Sequence, residues 1–208
     1  MFTVHRAMLA VGLAATLAAA DPDPGCKKFS EIYKGGKELC ENMWDGAFEY
    51  STDEDKAYTM WWEFGENPNK AAAVALGVEP SPATCKLHGD YYHKKTPGPE
   101  LDSNHECWPW KNEACCEDKT VASRDVIQDA YGAEFHWDRC GPLSQACERF
   151  FVKEACLYEC EPLTGHYRKY PDGPDYNGSS TGGEDNTWQI TKMPIKASFC
   201  DNWHHACK

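Results

Sequence analysis

Phe150, Glu154 and Tyr158 are spaced by four, so on a helix they occupy one face. A carboxylate between aromatic rings can accept two donors from one edge of a flat heterocycle while the rings hold its π-face. On spacing alone a solvent-facing glutamate is the plainer reading, because glutamate is rarely buried unpaired. Cys115-Cys116 with His204-His205 offers zinc chemistry as an alternative use of thiols. Adjacent cysteines do not match the usual C-x₂₋₄-C spacing, which argues against a metal site. No Gly-x-Ser-x-Gly, His-Glu-x-x-His or phosphate-loop pattern occurs. His93, His204 and His205 read as surface or packing residues. The sequence therefore predicts neither an enzyme nor a cofactor.

The chain has 208 residues, 12 of them cysteine, an even count that points to an oxidising compartment and a disulfide framework. The formal charge of −12 gives no basic footprint for nucleic acid and disfavours an anionic membrane surface. Eight Trp, ten Tyr and eight Phe argue against intrinsic disorder. Arg6 followed by the uncharged run Ala7–Ala20, ending in Ala18-Ala19-Ala20, reads as a secretory signal peptide over residues 1–20. No second apolar stretch follows, so a secreted chain without a membrane anchor is expected.

The elements that must position these residues fall into two blocks. In residues 26–77, Cys26, Phe29 and Tyr33 suit a helical turn broken at Gly35-Gly36. Leu39, Cys40, Met43, Trp44 and Phe48 then recur at helical spacing. Tyr58–Trp62 reads as a strand, and Asn67-Pro68-Asn69 opens an Ala-rich helix that stops at Gly77. Residues 78–84, with Glu79-Pro80-Ser81-Pro82, form a linker. In residues 85–208, Thr96-Pro97-Gly98-Pro99 reads as a turn within a loop-like stretch. Ser123 caps a helix through Ala130, and Pro142 sits at the first turn of a helix reaching about Tyr158. Residues 161–187 read as a long surface loop carrying the sequon Asn177-Gly178-Ser179, a glycosylation site. A final helix presents Phe199, Cys200, Trp203 and Cys207 on one side.

Several strings in the second block resemble the folate receptor family. They are His93-Lys94-Lys95-Thr96-Pro97-Gly98-Pro99-Glu100, Cys107-Trp108-Pro109-Trp110 with Ala114-Cys115-Cys116, Phe135-His136-Trp137-Asp138-Arg139-Cys140-Gly141 and Ala155-Cys156-Leu157-Tyr158-Glu159-Cys160-Glu161-Pro162. The first block, through Cys26-x-x-Phe29, Leu39-Cys40-Glu41-x-x-Trp44, Met60-Trp61 and Asn67-Pro68-Asn69, resembles the family's carboxy-terminal part. The family's order is thus permuted, and a Trp-, His- and Lys-rich middle segment is missing. Two family cysteines that pair with each other are replaced together, by Ala57 and Lys196, leaving no orphan thiol.

The resemblance implies a single small, disulfide-rich α+β domain over residues 21–208, with several short helices, few short strands and long loops. It implies the bridges Cys85–Cys115, Cys107–Cys156, Cys116–Cys160, Cys147–Cys207, Cys26–Cys140 and Cys40–Cys200, the last two joining the blocks. It places Glu154 where folate-binding members carry a pterin-holding Asp, Tyr158 and Trp44 at stacking positions, Phe135 at a lining Phe, and Trp188 at a Trp that packs on the ligand. Ala47 and Ala133 replace lining Ser and Tyr, and Gln189 stands in a basic pair. The implied function is secreted, non-enzymatic binding of folate, pterin or a related flat vitamin. The alternative is an extracellular recognition or scaffold protein that keeps the disulfide fold, meets a protein partner and has lost the ligand.

Overall fold

The computed structural model describes residues 25–85, 93–100, 106–117, 137–138, 140–169 and 189–208. The leader, the Ser123–Ala130 helix, Phe135, Trp188 and Asn177 lie outside the described residues.

Helix α1 (Phe29–Ile32) is a single turn whose Lys28 backbone N–H donates to Glu31, 3.2 Å away. Helix α2 (Gly36–Asn42) buries Leu39 and Cys40. The helical spacing from Leu39 to Phe48 does not continue as one helix. Trp44, Asp45 and Gly46 are all left-handed, with φ of 55°, 56° and 78°, and they turn the chain so that Phe48 opens strand β1 (Phe48–Ser51). Positive φ is unfavourable for a bulky side chain, so this turn is held by its surroundings.

Helix α3 (Asn69–Leu76) starts after Pro68 and ends at Gly77, which takes φ 73° at the C-cap. The expected strand at Tyr58–Trp62 reduces to one rung: Tyr58 donates to Pro194 at 2.8 Å and accepts from Lys196 at 3.0 Å.

Thr96-Pro97-Gly98 belongs to strand β2 (His93–Gly98), which pairs antiparallel with β3 (Ala114–Cys116). A register shift between His93 and Gly98 accommodates Pro97, which brings no donor to the ladder. Helix α4 (Gln145–Cys160) is capped by Ser144, whose hydroxyl accepts from Cys147 N at 3.2 Å; Pro142 therefore precedes the cap and lies outside the first turn. Residues Pro162–Tyr167 form a 3₁₀ helix with Pro162–Gly165 buried, so this start of the expected surface loop is core. Strand β4 (Met193–Lys196) pairs parallel with β1, Phe48 opposite Met193, and runs into helix α5 (Ala197–Cys207).

The core is aromatic where α4 meets α5. The fully buried Trp203 is stacked with Phe150 and edge-on to Phe151 and Phe199. All twelve cysteines are bridged: Cys26–Cys140, Cys40–Cys200, Cys85–Cys115, Cys107–Cys156, Cys116–Cys160 and Cys147–Cys207. The structure is thus a small disulfide-rich α+β domain, in which residues 26–77 pack directly on the second block through β1–β4, α2–α5 and two bridges.

Gly36 marks the tightest approach. A Cβ there would lie 2.5 Å from the Asp201 backbone nitrogen. Gly36→Ala is expected to force α2 away from α5 and cost about 2–3 kcal/mol, within the range typical of overpacking. Urea denaturation measures this; a loss under about 0.5 kcal/mol, the size of an ordinary surface effect, would refute the close-packed contact.

Candidate functional site

Two of the expected site residues, Glu154 and Tyr158, lie one turn apart on α4. The third, Trp44, comes from the left-handed turn after α2. These three line a small cleft of about 50 Å³ together with Ala47, Phe48, Gln189 and Ile190. Phe150 does not join them. It turns toward Phe199 and Trp203 in the core, with the Lys153 ammonium 5.1 Å from its ring centroid.

Glu154 is only 8% exposed. Burial, reinforced by the negative charge of Glu159, pushes its carboxyl up to about 8, and a hydrogen bond from Trp44 pulls weakly the other way. At neutral pH this carboxyl is therefore mostly protonated. Trp44 lines the cleft from a left-handed backbone conformation, so backbone strain and the site coincide.

The turn is clamped from outside. Asp45 accepts from Lys169 Nζ at 3.2 Å and from Gln189 Nε2 at 3.1 Å, and these bonds, with the lysine's charge, hold its carboxyl below the usual range. Gln189 thus lines the cleft and braces the strand-like return toward β4. Lys192, also left-handed at φ 49°, donates its backbone N–H to the Gly46 carbonyl at 3.0 Å.

Tyr158 forms the wall to a second, smaller cavity where His93 and Glu159 pair at 2.6 Å, both largely buried. His93 is therefore a packing residue set against the Glu159 carboxylate, its ring 5.9 Å from that of Tyr158. Sequence reasoning missed Phe48, Ile190 and Asp45. Gly46 was the one local signal that the helix must stop before Phe48.

A third buried carboxylate, Glu161, is treated differently. Its Oε2 accepts from Asn67 Nδ2 at 2.8 Å, Asn69 Nδ2 at 2.8 Å and Trp110 Nε1 at 3.0 Å, and its Oε1 accepts from Leu163 N at 3.2 Å. Asn69 also exchanges two bonds with the Thr59 backbone. This buried node ties the start of α3 to the second block. The sequence marks Glu161 and Asn69 as parts of family strings, and as a loop start and a helix start, but gives no sign that they meet.

Among the described residues, then, one poorly compensated buried carboxyl faces a cleft with aromatic walls, and one fully compensated carboxylate serves the fold. No described helix is long and apolar enough to cross a membrane.

Residues 84–208 match the sequence model of the folate receptor family. The chain is 42% identical to folate receptor alpha of Bos taurus over 162 residues, covering 72% of this chain and 61% of that protein. It is 31% identical to folate receptor alpha of Homo sapiens over 122 residues, covering 56% of this chain and 41% of that one. It is also 33% identical to the riboflavin-binding protein of Gallus gallus over 143 residues, 65% of this chain and 52% of that protein. The chain spans about half the length of the curated relatives it matches.

Proposed function

The chain belongs to the folate receptor family, and on that premise we propose that it is an extracellular, non-enzymatic binding protein for a flat vitamin heterocycle of the folate, pterin or flavin kind. The observation that carries this reading is the buried Glu154 carboxyl facing a cleft beside Trp44 and Tyr158. A buried acid without full compensation is costly to a fold, and such groups concentrate at sites that meet a ligand. In this reading Phe135 and Trp188 complete the ligand wall, and Asn177 carries a glycan on the secreted chain.

A ligand that offers two donors to Glu154 needs the carboxylate, so binding must first remove its proton. With the free-site carboxyl near 8, affinity is expected to rise about fifty-fold from pH 6 to pH 8 and level off above. Tryptophan fluorescence titration against folate, pterin and riboflavin checks this. Glu154→Gln is expected to abolish the pH dependence and weaken binding at pH 8 about ten- to a hundred-fold, the size of one charge-assisted pair. Equal affinity of Glu154→Gln at pH 8 would remove Glu154 as the anchor.

One observation favours the rival reading, a recognition protein that has lost its vitamin: the described residues enclose only about 50 Å³ around Glu154. Absence of quenching by all three ligands at micromolar concentration decides for that reading.

A further inference from the structure

A larger cleft, of about 430 Å³, lies where residues 62–70 meet residues 97–99 and 109–113. It shares no lining residue with the Glu154 cleft. Its volume falls in the range that holds small ligands, about 300–1,000 Å³. We propose that this cleft is a second binding site, for a neutral saccharide unit of one or two rings.

One wall is made of rings. The half-buried Trp62 meets the buried Trp110 nearly at right angles, with centroids 4.6 Å apart and planes at 71°, so Trp62 is the accessible indole with Trp110 fixed behind it, and Pro97 and Pro99 extend the apolar surface. Two polar groups behind this wall are already committed. Trp110 donates its indole N–H inward to Glu161, and the Asn67 side chain donates to Glu161 and accepts from the Asn69 backbone. Apart from the Trp62 indole N–H, the wall therefore offers mainly ring and C–H surface.

The other side of the cleft is polar and balanced in charge. Lys70 of α3 pairs with Glu113, joining the two segments across the cleft, and the exposed Asn112 stands beside them. Lysine supplies donors, glutamate acceptors and the amide both, a set that matches neighbouring hydroxyls, each of which donates and accepts.

A pyranose presents this combination: one face of C–H bonds, polarised positively and attracted to the negative face of an indole, and an equatorial rim of hydroxyls. An ionic ligand fits less well. It would have to break the Lys70–Glu113 pair, and an anion would also meet a chain of net charge −12. A proline-rich peptide wants an aromatic groove that also donates to its carbonyls; here the Trp110 N–H is turned away.

The test is titration of the full chain with cellobiose, lactose, N,N′-diacetylchitobiose and α-1,2-mannobiose, read by saturation-transfer NMR and calorimetry. At least one is expected to bind with a millimolar or tighter Kd, and Trp62→Ala to weaken it about ten-fold or more, about 1.4 kcal/mol. Asn112→Ala, a surface change that leaves the wall intact, is expected to weaken the same sugar while leaving the pH-dependent titration of the Glu154 cleft unchanged. It also serves where Trp62→Ala fails to fold. Failure of all four sugars to saturate at tens of millimolar overturns the proposal. So does binding that both variants leave unaltered, or a proline decapeptide binding where the sugars do not. None of these results bears on Glu154, so the two sites stand or fall separately.

Discussion

Glu154→Gln is expected to make the protein more stable at neutral pH, by about 2–3 kcal/mol, while impairing its proposed binding role. The carboxyl titrates near 8 in the folded chain and near the ordinary glutamate value of 4.5 once unfolded. Below about pH 4.5 it is protonated in both states and contributes no difference. Between 4.5 and 8 the unfolded chain releases the proton and the folded chain retains it, so stability falls as pH rises through that window. Above pH 8 the penalty is constant. A glutamine titrates nowhere, so the gain of the variant should be absent at pH 4, grow through pH 5–8 and then plateau. Urea melts of both proteins at pH 4, 6 and 8 measure it. A variant less stable than the parent at pH 8, with a parallel pH profile, would mean that Glu154 is ionised and well partnered, contrary to the geometry described.

Glu161→Ala should do the opposite, costing about 3–5 kcal/mol at neutral pH. The substitution strands the indole N–H of Trp110 and the amide donors of Asn67 and Asn69, of which Trp110 and Asn69 are 1% exposed and out of reach of replacement water. Glu161→Gln keeps the shape and one acceptor, and is expected to cost about 1–2 kcal/mol through loss of charge-assisted bonds. Because the donors come from both blocks, the alanine variant should also loosen α3 against the Trp108–Trp110 turn, visible as faster hydrogen exchange at Ala72 and Ala73. An alanine variant within about 0.5 kcal/mol of the parent, no more than an ordinary surface change, would show that the node contributes nothing net.

These two glutamates, seven residues apart, mark the limit of what the sequence makes legible. The periodicity of α4 and α5 was readable because their apolar and cysteine spacings are local, and α3 because Asn-Pro-Asn and Gly77 punctuate it. The family strings identified the α+β disulfide class and brought Glu154, Tyr158 and Trp44 forward as a group. Glu161 lies in one of those strings, but its role was hidden there, since its side-chain donors lie 51 to 94 residues away. Strand β1 was hidden for the same reason. Its ladder partner β4 lies near the other end of the chain, and Phe48 happens to continue the helical spacing of Met43 and Trp44. Only the left-handed turn at Trp44, Asp45 and Gly46 breaks that rhythm, and it begins at a tryptophan, a type that rarely adopts it. Pro97 and Gly98 read as a turn because their types are turn formers, yet a short bulged ladder tolerates both.

The bridges Cys26–Cys140 and Cys40–Cys200 have a consequence for how the protein can be taken apart. The segment 78–84 is the only peptide connection between the two blocks, and Glu79, Ser81, Ala83 and Thr84 along it are exposed. A protease cutting there would leave one covalent particle, with β1 still laid against β4 and α2 against α5. Reduction alone would likewise leave a continuous chain. Separation of the halves requires both a cut and a reductant, so dismantling obeys a two-key logic, and an extracellular protease acting in an oxidising fluid holds one key.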